Sequence, residues 1–259
     1  MTGEFDARWL ALREPADAAA RSAELADRLD LAPPLVVRDL GCGTGSLSRW
    51  LAPRLPGPQH WILMDRDPDL LAHAAASPPE SVTVETVPGD VTALTGDDLA
   101  GTSLVTCSAL LDLLTAAEVD RLAAACAEHR TPALLTLSVI GEVTFEPAEP
   151  LDAEIAAAFN AHQRRTVAGR RLLGPDAAAA AEAAFRKHGA TVEVRATPWR
   201  LASDSPLAGE WLKGWVSAAQ AQRADLNAGD YLRRRLGDAV RVSVGHADLL
   251  ATFVEPFPR

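Results

Sequence analysis

Residues 35–45 have the sequence Leu-Val-Val-Arg-Asp-Leu-Gly-Cys-Gly-Thr-Gly. An apolar run ends at Asp39, and three alternating glycines lead into a helix-like segment, Ser46 to Ala52. Glycine lets a backbone pass close to a ligand, because it has no Cβ and tolerates positive φ. The helix that follows offers free N–H groups at its N-terminus. This stretch therefore predicts a strand, a glycine turn and a helix that together hold a ligand.

Short apolar strands alternate with helices along the rest of the chain. A capping-box pattern at Thr115 and Glu118 opens one helix, and helical spacing within residues 7–31 predicts helices ahead of the first strand. We expect an α/β fold with a seven-stranded, mostly parallel sheet and helices on both faces. The further predicted strands are 60–65, 82–87, 103–108, 133–140, 191–197 and a last one near 240–254.

The segment Asp-Leu-Gly-Cys-Gly-Thr-Gly, at 39–45, resembles motif I of the class I, Rossmann-like S-adenosylmethionine-dependent methyltransferases. Its GxGxG spacing differs from the GxGxxG of dinucleotide-binding enzymes, because Ser46 stands where the third spaced glycine is expected. The resemblance is close over residues 35–140 and extends to the remainder only in architecture. It implies the class I methyltransferase fold, with S-adenosylmethionine as cofactor and S-adenosylhomocysteine as product.

The glycine turn is the first part of the expected cofactor site. In an open parallel sheet a ligand lies beyond the carboxyl ends of the strands, where the strand order reverses. By resemblance, the turn holds the methionine part of the cofactor with main-chain donors, and a carboxylate lies near the cofactor's amino group. The residues concerned are Asp39, Gly41, Cys42, Gly43 and Gly45.

The ends of the next three strands supply the rest of this predicted site. Asp65 ends the second strand, and its carboxylate is placed to accept both ribose hydroxyl hydrogens, with Arg66 beside it. The resemblance assigns the adenine amino group to Asp90 and the adenine ring to Val91. It places Ser108, at the end of the fourth strand, near the methionine end and the transferring methyl group.

A general base is useful when the methyl acceptor is a hydroxyl or a protonated amine. The candidates are Asp112, just past the fourth strand, and His162, on the helix after the fifth. A packing role is the alternative for His162, and a simple helix start is the alternative for Asp112. Near the N-terminus, a charged stripe that includes Arg13 and Asp17 forms either exposed ion pairs or a wall of the pocket.

We expect one methyltransferase domain that spans residues 1–259. Within it, 1–34 form an N-terminal helical cap, 35–140 bind the cofactor and 141–259 form the substrate side. A helical insertion at about 200–239 precedes the last strand and is a candidate lid or oligomer contact. A homodimer is therefore a further expectation.

Charge and composition limit the choice of partners. The net charge is −10, which argues against a general nucleic-acid binder. Residues 1–155 carry 10 basic and 25 acidic side chains, whereas residues 156–241 carry 14 basic and 8 acidic ones. An anionic small-molecule substrate follows if the basic part covers the site; solvated helix faces are the alternative. The three cysteines lack metal-site spacing, and the absence of a signal or spanning segment predicts a cytoplasmic protein without membrane contact.

These observations favour a methyltransferase that acts on an oxygen, nitrogen or carbon nucleophile of a small molecule. An RNA methyltransferase is the first alternative, since arginines cluster in the second half of the chain. A non-catalytic protein that binds S-adenosylmethionine is a lesser one. A nicotinamide-dependent oxidoreductase is disfavoured, because Arg235 stands where the lysine of a Tyr-x-x-x-Lys pair would follow Tyr231.

Overall fold

The computed structural model describes residues 6–80, 82–202, 204–237 and 240–253. Its strands are β1 (Leu35–Leu40), β2 (Gln59–Asp65), β3 (Val82–Pro88), β4 (Leu104–Ser108), β5 (Ala133–Glu146), β6 (Thr166–Val167), β7 (Arg170–Arg171), β8 (Thr191–Ala196), β9 (Trp199–Ala202) and β10 (Arg241–Thr252). Its α-helices are α1 (Ala7–Ala20), α2 (Ala23–Asp27), α3 (Ser46–Leu51), α4 (Pro68–Ala76), α5 (Ala116–Glu128), α6 (Leu151–Gln163), α7 (Ala177–Lys187), α8 (Pro206–Gln222) and α9 (Ala228–Gly237). None of these helices is long and apolar enough to cross a membrane.

The main sheet has the order β3-β2-β1-β4-β5-β10-β8, and β9 pairs with β10. Strands β1 to β5 are parallel, whereas β10 runs antiparallel to β5, β8 and β9. The mostly parallel α/β fold is thus confirmed, with β9 as an eighth strand that the sequence analysis did not predict. The strand order reverses between β1 and β4, which is where an open sheet of this kind binds its ligand.

Two apolar cores cover the two faces of the sheet. Helices α5 and α7 pack on one face, around buried side chains such as Cys107 and Phe185. Helices α2, α3 and α4 pack on the other face, around Leu63 and Trp61. Every residue of β4 from Leu104 to Cys107 is buried, as expected for a parallel strand covered on both sides.

Strand β5 continues to Glu146, beyond the predicted end of this strand at residue 140. Gly141, with φ of 76°, lies between the pairs Val139–His246 and Val143–Val244, where β5 has three residues and β10 has only Gly245. The glycine therefore lies in a bulge and does not end the strand, because a bulge accommodates extra residues within a continuing ladder.

The outer halves of β5 and β10, together with β9, carry a helical lobe formed by α6, α8 and α9. This lobe has its own apolar core, in which Trp215 is 2% exposed and Tyr231 is fully buried. The Trp215 ring lies 5.6 Å from Phe145 and stacks on Trp211 at 5.4 Å. The insertion expected near residues 200–239 is therefore packed onto an extension of the sheet.

Asp248 fastens the N-terminal helices to the sheet. Its fully buried carboxylate accepts hydrogen bonds from the backbone N–H of Leu137 at 2.7 Å and from the Thr197 hydroxyl at 2.8 Å. The second oxygen accepts from the N–H of Ser22, between α1 and α2, at 2.8 Å. Burial raises the pKa of Asp248, while these three donors favour its charged form.

We expect Asp248→Ala to lower the free energy of unfolding by about 2–4 kcal/mol, because it leaves two buried backbone N–H groups without acceptors. Urea denaturation followed by circular dichroism measures the change. Asp120→Ala is the matched control, since that carboxylate pairs with Lys187 at the surface and its loss should leave stability nearly unchanged. Equal effects of the two substitutions would contradict the anchoring role of Asp248.

Candidate active site

A cavity of about 730 Å³ lies at the carboxyl ends of β1 to β4, beside the reversal of strand order. Most of the residues assigned to the cofactor by the resemblance line this one cavity: Asp39, Gly41, Cys42, Gly43, Asp65, Arg66, Asp90, Val91 and Ser108. Gly45 does not line it. With φ of 82°, Gly45 forms the N-cap of α3 and shapes the turn from outside.

The glycine turn brings bare backbone against the cavity. Gly41 and Gly43 have φ values of 62° and 55°, a region that glycine tolerates without strain. A Cβ on Gly41 would lie 3.0 Å from the side chain of Leu110, and one on Gly43 would lie 3.1 Å from Leu10. Side chains at these two positions would therefore press on the walls of the cavity.

Asp39 is a buried carboxylate at the end of the central strand. Its Oδ1 accepts a hydrogen bond of 2.9 Å from the Thr106 hydroxyl on β4. Its Oδ2 is buried and has no partner within the described part of the chain. Burial raises the pKa of Asp39 to about 7, although Thr106 and the nearby Arg21 oppose this rise. The site thus holds an acceptor atom that lacks a donor.

Asp65 closes the glycine turn onto β2. Its Oδ2 accepts from the N–H of Gly43 at 2.8 Å, and its Oδ1 accepts from the N–H of Asp67 at 3.0 Å. Each carboxylate oxygen has a second lone pair, so the group retains capacity for a ligand. The neighbouring Asp67 is less suited to bind a ligand, because its Oδ1 caps α4 by accepting a hydrogen bond from the N–H of Asp69 at 2.9 Å.

At the end of β3, Asp90 is exposed and its Oδ1 accepts from the N–H of Thr92 at 2.9 Å. This bond fixes the carboxylate at the start of a short turn that also places Val91 in the cavity wall. This hydrogen bond engages one of the two carboxylate oxygens of Asp90. The geometry suits a carboxylate that reaches a ligand at the edge of the sheet.

A buried arginine organises the ends of β1 and β4. Arg21, which is 4% exposed, donates from Nη2 to the hydroxyls of Ser46 at 3.0 Å and Ser108 at 3.1 Å. Both serines line the cavity, whereas Arg21 lies behind them. Burial lowers the pKa of Arg21, and Asp17 opposes that change. Ser108 is thus held in a defined orientation at this end of the cavity.

The N-terminal charged stripe is divided between two roles. Arg13 and Asp17 line the cavity and pair through two hydrogen bonds, of 2.9 and 3.2 Å. The indole of Trp199 donates to the same Asp17 at 3.0 Å. Glu14 instead pairs with Arg49 at 2.6 Å, away from the cavity lining. One face of α1 therefore covers the site.

Neither candidate general base lines the cavity. Asp112 lies in a short 3₁₀ turn after β4, beside cavity residues Leu110 and Leu113. His162 lies near the end of α6, where burial and Arg165 lower its pKa and its Nδ1 is buried without a partner among the described residues. The geometry gives no support to the catalytic roles predicted for these two residues.

The sequence analysis missed an apolar wall of the cavity. Its members are Leu110, Leu113, Leu114, Val167 and Leu172. Val167 belongs to the β6–β7 hairpin, whose turn residues Ala168 and Gly169 both have positive φ. An Ala-Gly pair is a weak hairpin signal, because turns of this type favour Asn or Asp before glycine.

Arg170, on the same hairpin, also lines the cavity. It donates to both oxygens of Glu118, at 2.8 and 2.7 Å, and to the carbonyl of Leu113 at 3.1 Å. This pairing lowers the pKa of Glu118 to about 2. The hairpin is therefore fastened to the start of α5, and the cavity wall that it forms is fixed in place.

Comparisons with known proteins agree with this geometry. Residues 37–133 match a family model described as a methyltransferase domain, and no curated protein sequence matches the chain. The structure is similar to that of the YcgJ protein from Bacillus subtilis, with a TM-score of 0.51 and 14% identity, covering 97% of this chain and 100% of that one.

Two further solved structures are similar. The Haloferax volcanii protein in complex with a methyltransferase activator gives a TM-score of 0.50 at 13% identity, covering 97% of this chain and 96% of that one. Magnesium protoporphyrin IX methyltransferase from Synechocystis gives a TM-score of 0.48 at 15% identity, covering 98% of this chain and 90% of that one.

The family model spans β1 to the start of β5, which are the strands whose ends form the cavity. The sheet order and the glycine turn agree with the same family over the described residues. Residues 37–133 therefore match a methyltransferase domain, and the chain has the fold of the class I, Rossmann-like methyltransferases.

Proposed function

We propose that this protein transfers a methyl group from S-adenosylmethionine to a small molecule. The observation that carries the proposal is the buried carboxylate of Asp39, whose Oδ2 has no partner in the described part of the chain and which lines a cavity together with the bare backbone of Gly41 and Gly43. A buried acceptor without a donor is costly, so its presence in a cavity suits a ligand with an N–H group. The α-amino group of S-adenosylmethionine is such a donor.

The remaining carboxylates fit the nucleoside part of the same cofactor. Asp65 retains a lone pair on each oxygen after its bonds to Gly43 and Asp67, so it accepts ribose hydroxyls without giving up the turn. Asp90 and Val91, at the end of β3, would take the adenine edge and face. These roles follow the family resemblance and agree with where the side chains lie.

The cofactor supplies an electrophilic methyl group on its sulfonium. The residues of the chain align that group with an acceptor and exclude water, which accounts for much of the acceleration in an in-line transfer. Leu10 and Leu110 flank the glycine turn and keep this end of the cavity apolar. We assign no general base, because Asp112 and His162 lie outside the cavity lining.

An anionic acceptor with an oxygen, nitrogen or carbon nucleophile is the favoured substrate class. Arg170 stands in the cavity wall with its side chain 37% exposed, and the neighbouring wall is apolar. An acceptor with an apolar body and an acidic group suits that wall. RNA is less favoured, because several clustered arginines pair with carboxylates of the chain itself: Arg164 with Asp176, Arg234 with Glu149 and Arg235 with Asp152.

We also place the protein in the cytoplasm and infer a homodimer. Cys42, Cys107 and Cys126 are all free and buried, as is common in a reducing compartment. The homodimer rests on the helical insertion alone, and sedimentation analysis tests it.

The function is tested by incubating the protein with S-adenosylmethionine labelled on its methyl group, and either a metabolite extract or total RNA. We expect label in small molecules retained by an anion-exchange resin, because the acceptor is anionic. Label in RNA would establish the alternative substrate. Binding of S-adenosylhomocysteine without labelling of either fraction would identify a non-catalytic binding protein.

Asp65→Ala should weaken the binding of S-adenosylhomocysteine by about 1–3 kcal/mol, through the loss of hydrogen bonds to a charged acceptor. Isothermal titration calorimetry measures this change. Asp97→Asn provides the control, because that exposed carboxylate lies outside the cavity lining. Unchanged affinity in Asp65→Ala would show that the ribose is bound elsewhere.

Affinity for S-adenosylhomocysteine should depend on pH through Asp39, whose pKa is about 7. The ammonium group of the ligand requires the carboxylate, which is lost as the pH falls below this pKa. We expect binding about tenfold weaker at pH 6 than at pH 8. Asp39→Asn should bind weakly at both pH values, and a variant that keeps the full pH dependence would exclude Asp39 as its source.

A further inference from the structure

Arg49 lies on α3, in the first turn after the glycine turn, and does not line the cavity. Its guanidinium contacts three separate parts of the chain. Nε and Nη2 donate to the two carboxylate oxygens of Glu14 on α1, at 2.8 and 2.6 Å. Nη1 donates to the backbone carbonyl of Thr44 at 2.6 Å and to that of Ser77, after α4, at 3.5 Å. One side chain thus joins the helix that covers the cavity to the turn that lines it.

The hydrogen bond to Thr44 acts on the glycine turn itself. Thr44 lines the cavity, and the next residue, Gly45, has φ of 82°. The peptide group between them is held at both ends, because its N–H donates to the carbonyl of Cys42 at 2.9 Å and its C=O accepts from Arg49. Glycine tolerates several backbone conformations at little cost, so these bonds select the one that the turn adopts. A hydrogen bond from a charged donor is about twice as strong as a neutral one.

The ion pair with Glu14 acts on α1. Glu14 lies one helical turn after Leu10, the residue that a Cβ on Gly43 would meet at 3.1 Å. Residues four positions apart share one face of a helix, so the bidentate pair holds the face that carries Leu10 close to the turn. The side chains of Arg49 and Glu14 are only 27% and 28% exposed, and the pair is therefore partly shielded from solvent.

These contacts link the conformation of the turn to the position of the helix. A movement of the turn takes the Thr44 carbonyl away from Nη1 and disturbs the guanidinium that Glu14 binds, and a movement of α1 acts on the turn by the same route. Such coupling is reciprocal. We infer that Arg49 is a positioning residue, through which a cofactor bound at the glycine turn fixes α1 over the cavity. This inference rests on the proposed function.

The test is a double-mutant cycle on the binding of S-adenosylhomocysteine. Isothermal titration calorimetry is run at a temperature where circular dichroism shows every variant to be folded. We expect Arg49→Met to weaken binding about tenfold and Glu14→Gln to weaken it about threefold, because the second variant keeps the bond to Thr44. The double variant should bind as Arg49→Met does, since the ion pair is already lost in that variant.

Two further variants serve as controls. Arg49→Lys keeps the charge but replaces the planar fork with one ammonium group, so it should recover part of the affinity. Arg54→Met is the matched control, because Arg54 also donates to a backbone carbonyl, that of Trp50, and lies outside the cavity lining. Its affinity for S-adenosylhomocysteine should stay at the wild-type value.

Several results would overturn the inference while the proposed function stands. They are a lower melting temperature with unchanged affinity in Arg49→Met, strictly additive effects in the double variant, and an equal loss of affinity in Arg54→Met. If Arg49→Met does not fold, Glu14→Gln decides alone, and its unchanged affinity counts against the inference. An unmodified protein that does not bind S-adenosylhomocysteine contradicts the proposed function itself.

Discussion

The burial of the Asp39 carboxylate at the reversal of strand order is the constraint on which the site depends. One oxygen is satisfied by Thr106 on the neighbouring strand, and the other is buried without a partner among the described residues. Burial raises the pKa of Asp39 and so disfavours its charged form, which a cationic group of a ligand would stabilise. Around Asp39, the glycines with positive φ keep side chains away from the turn. The buried guanidinium of Arg21 lies behind Ser46 and Ser108 and donates to both hydroxyls.

Asp65 combines architecture with recognition. Because its oxygens accept from Gly43 and Asp67, the second strand fixes the conformation of the turn that follows the first. A ribose that bonds the same carboxylate would therefore meet a group already oriented by the backbone. Such preorganisation lowers the entropic cost of binding. The spacing of these two motifs along the chain thus has a direct physical basis.

The central half of the fold was predictable because its signals are local. The apolar run before Asp39, the glycine alternation and the Thr115 capping box each determine a conformation through neighbouring residues, and the structure has all three. The extension of β5 past Gly141 depends on contacts with β10, about a hundred residues away in sequence, and β9 pairs with the same strand from about forty residues before it. The cavity wall from the hairpin likewise depends on tertiary packing, so sequence patterns alone did not identify it, and they left the wall from α1 as one of two alternatives.

The helical lobe has an interior separate from the two cores around the parallel strands. One of its contacts with the cavity lining is made by Trp199, whose indole donates to Asp17 and whose ring lies 4.9 Å from the Arg13 guanidinium. In evolutionary terms, most residues inside the lobe are free to diverge without disturbing the nucleoside end of the site. Divergence that shifts this indole is different, since Trp199 contacts the Arg13–Asp17 ion pair in the cavity lining. Natural variation in the lobe can therefore alter the cavity by moving Trp199.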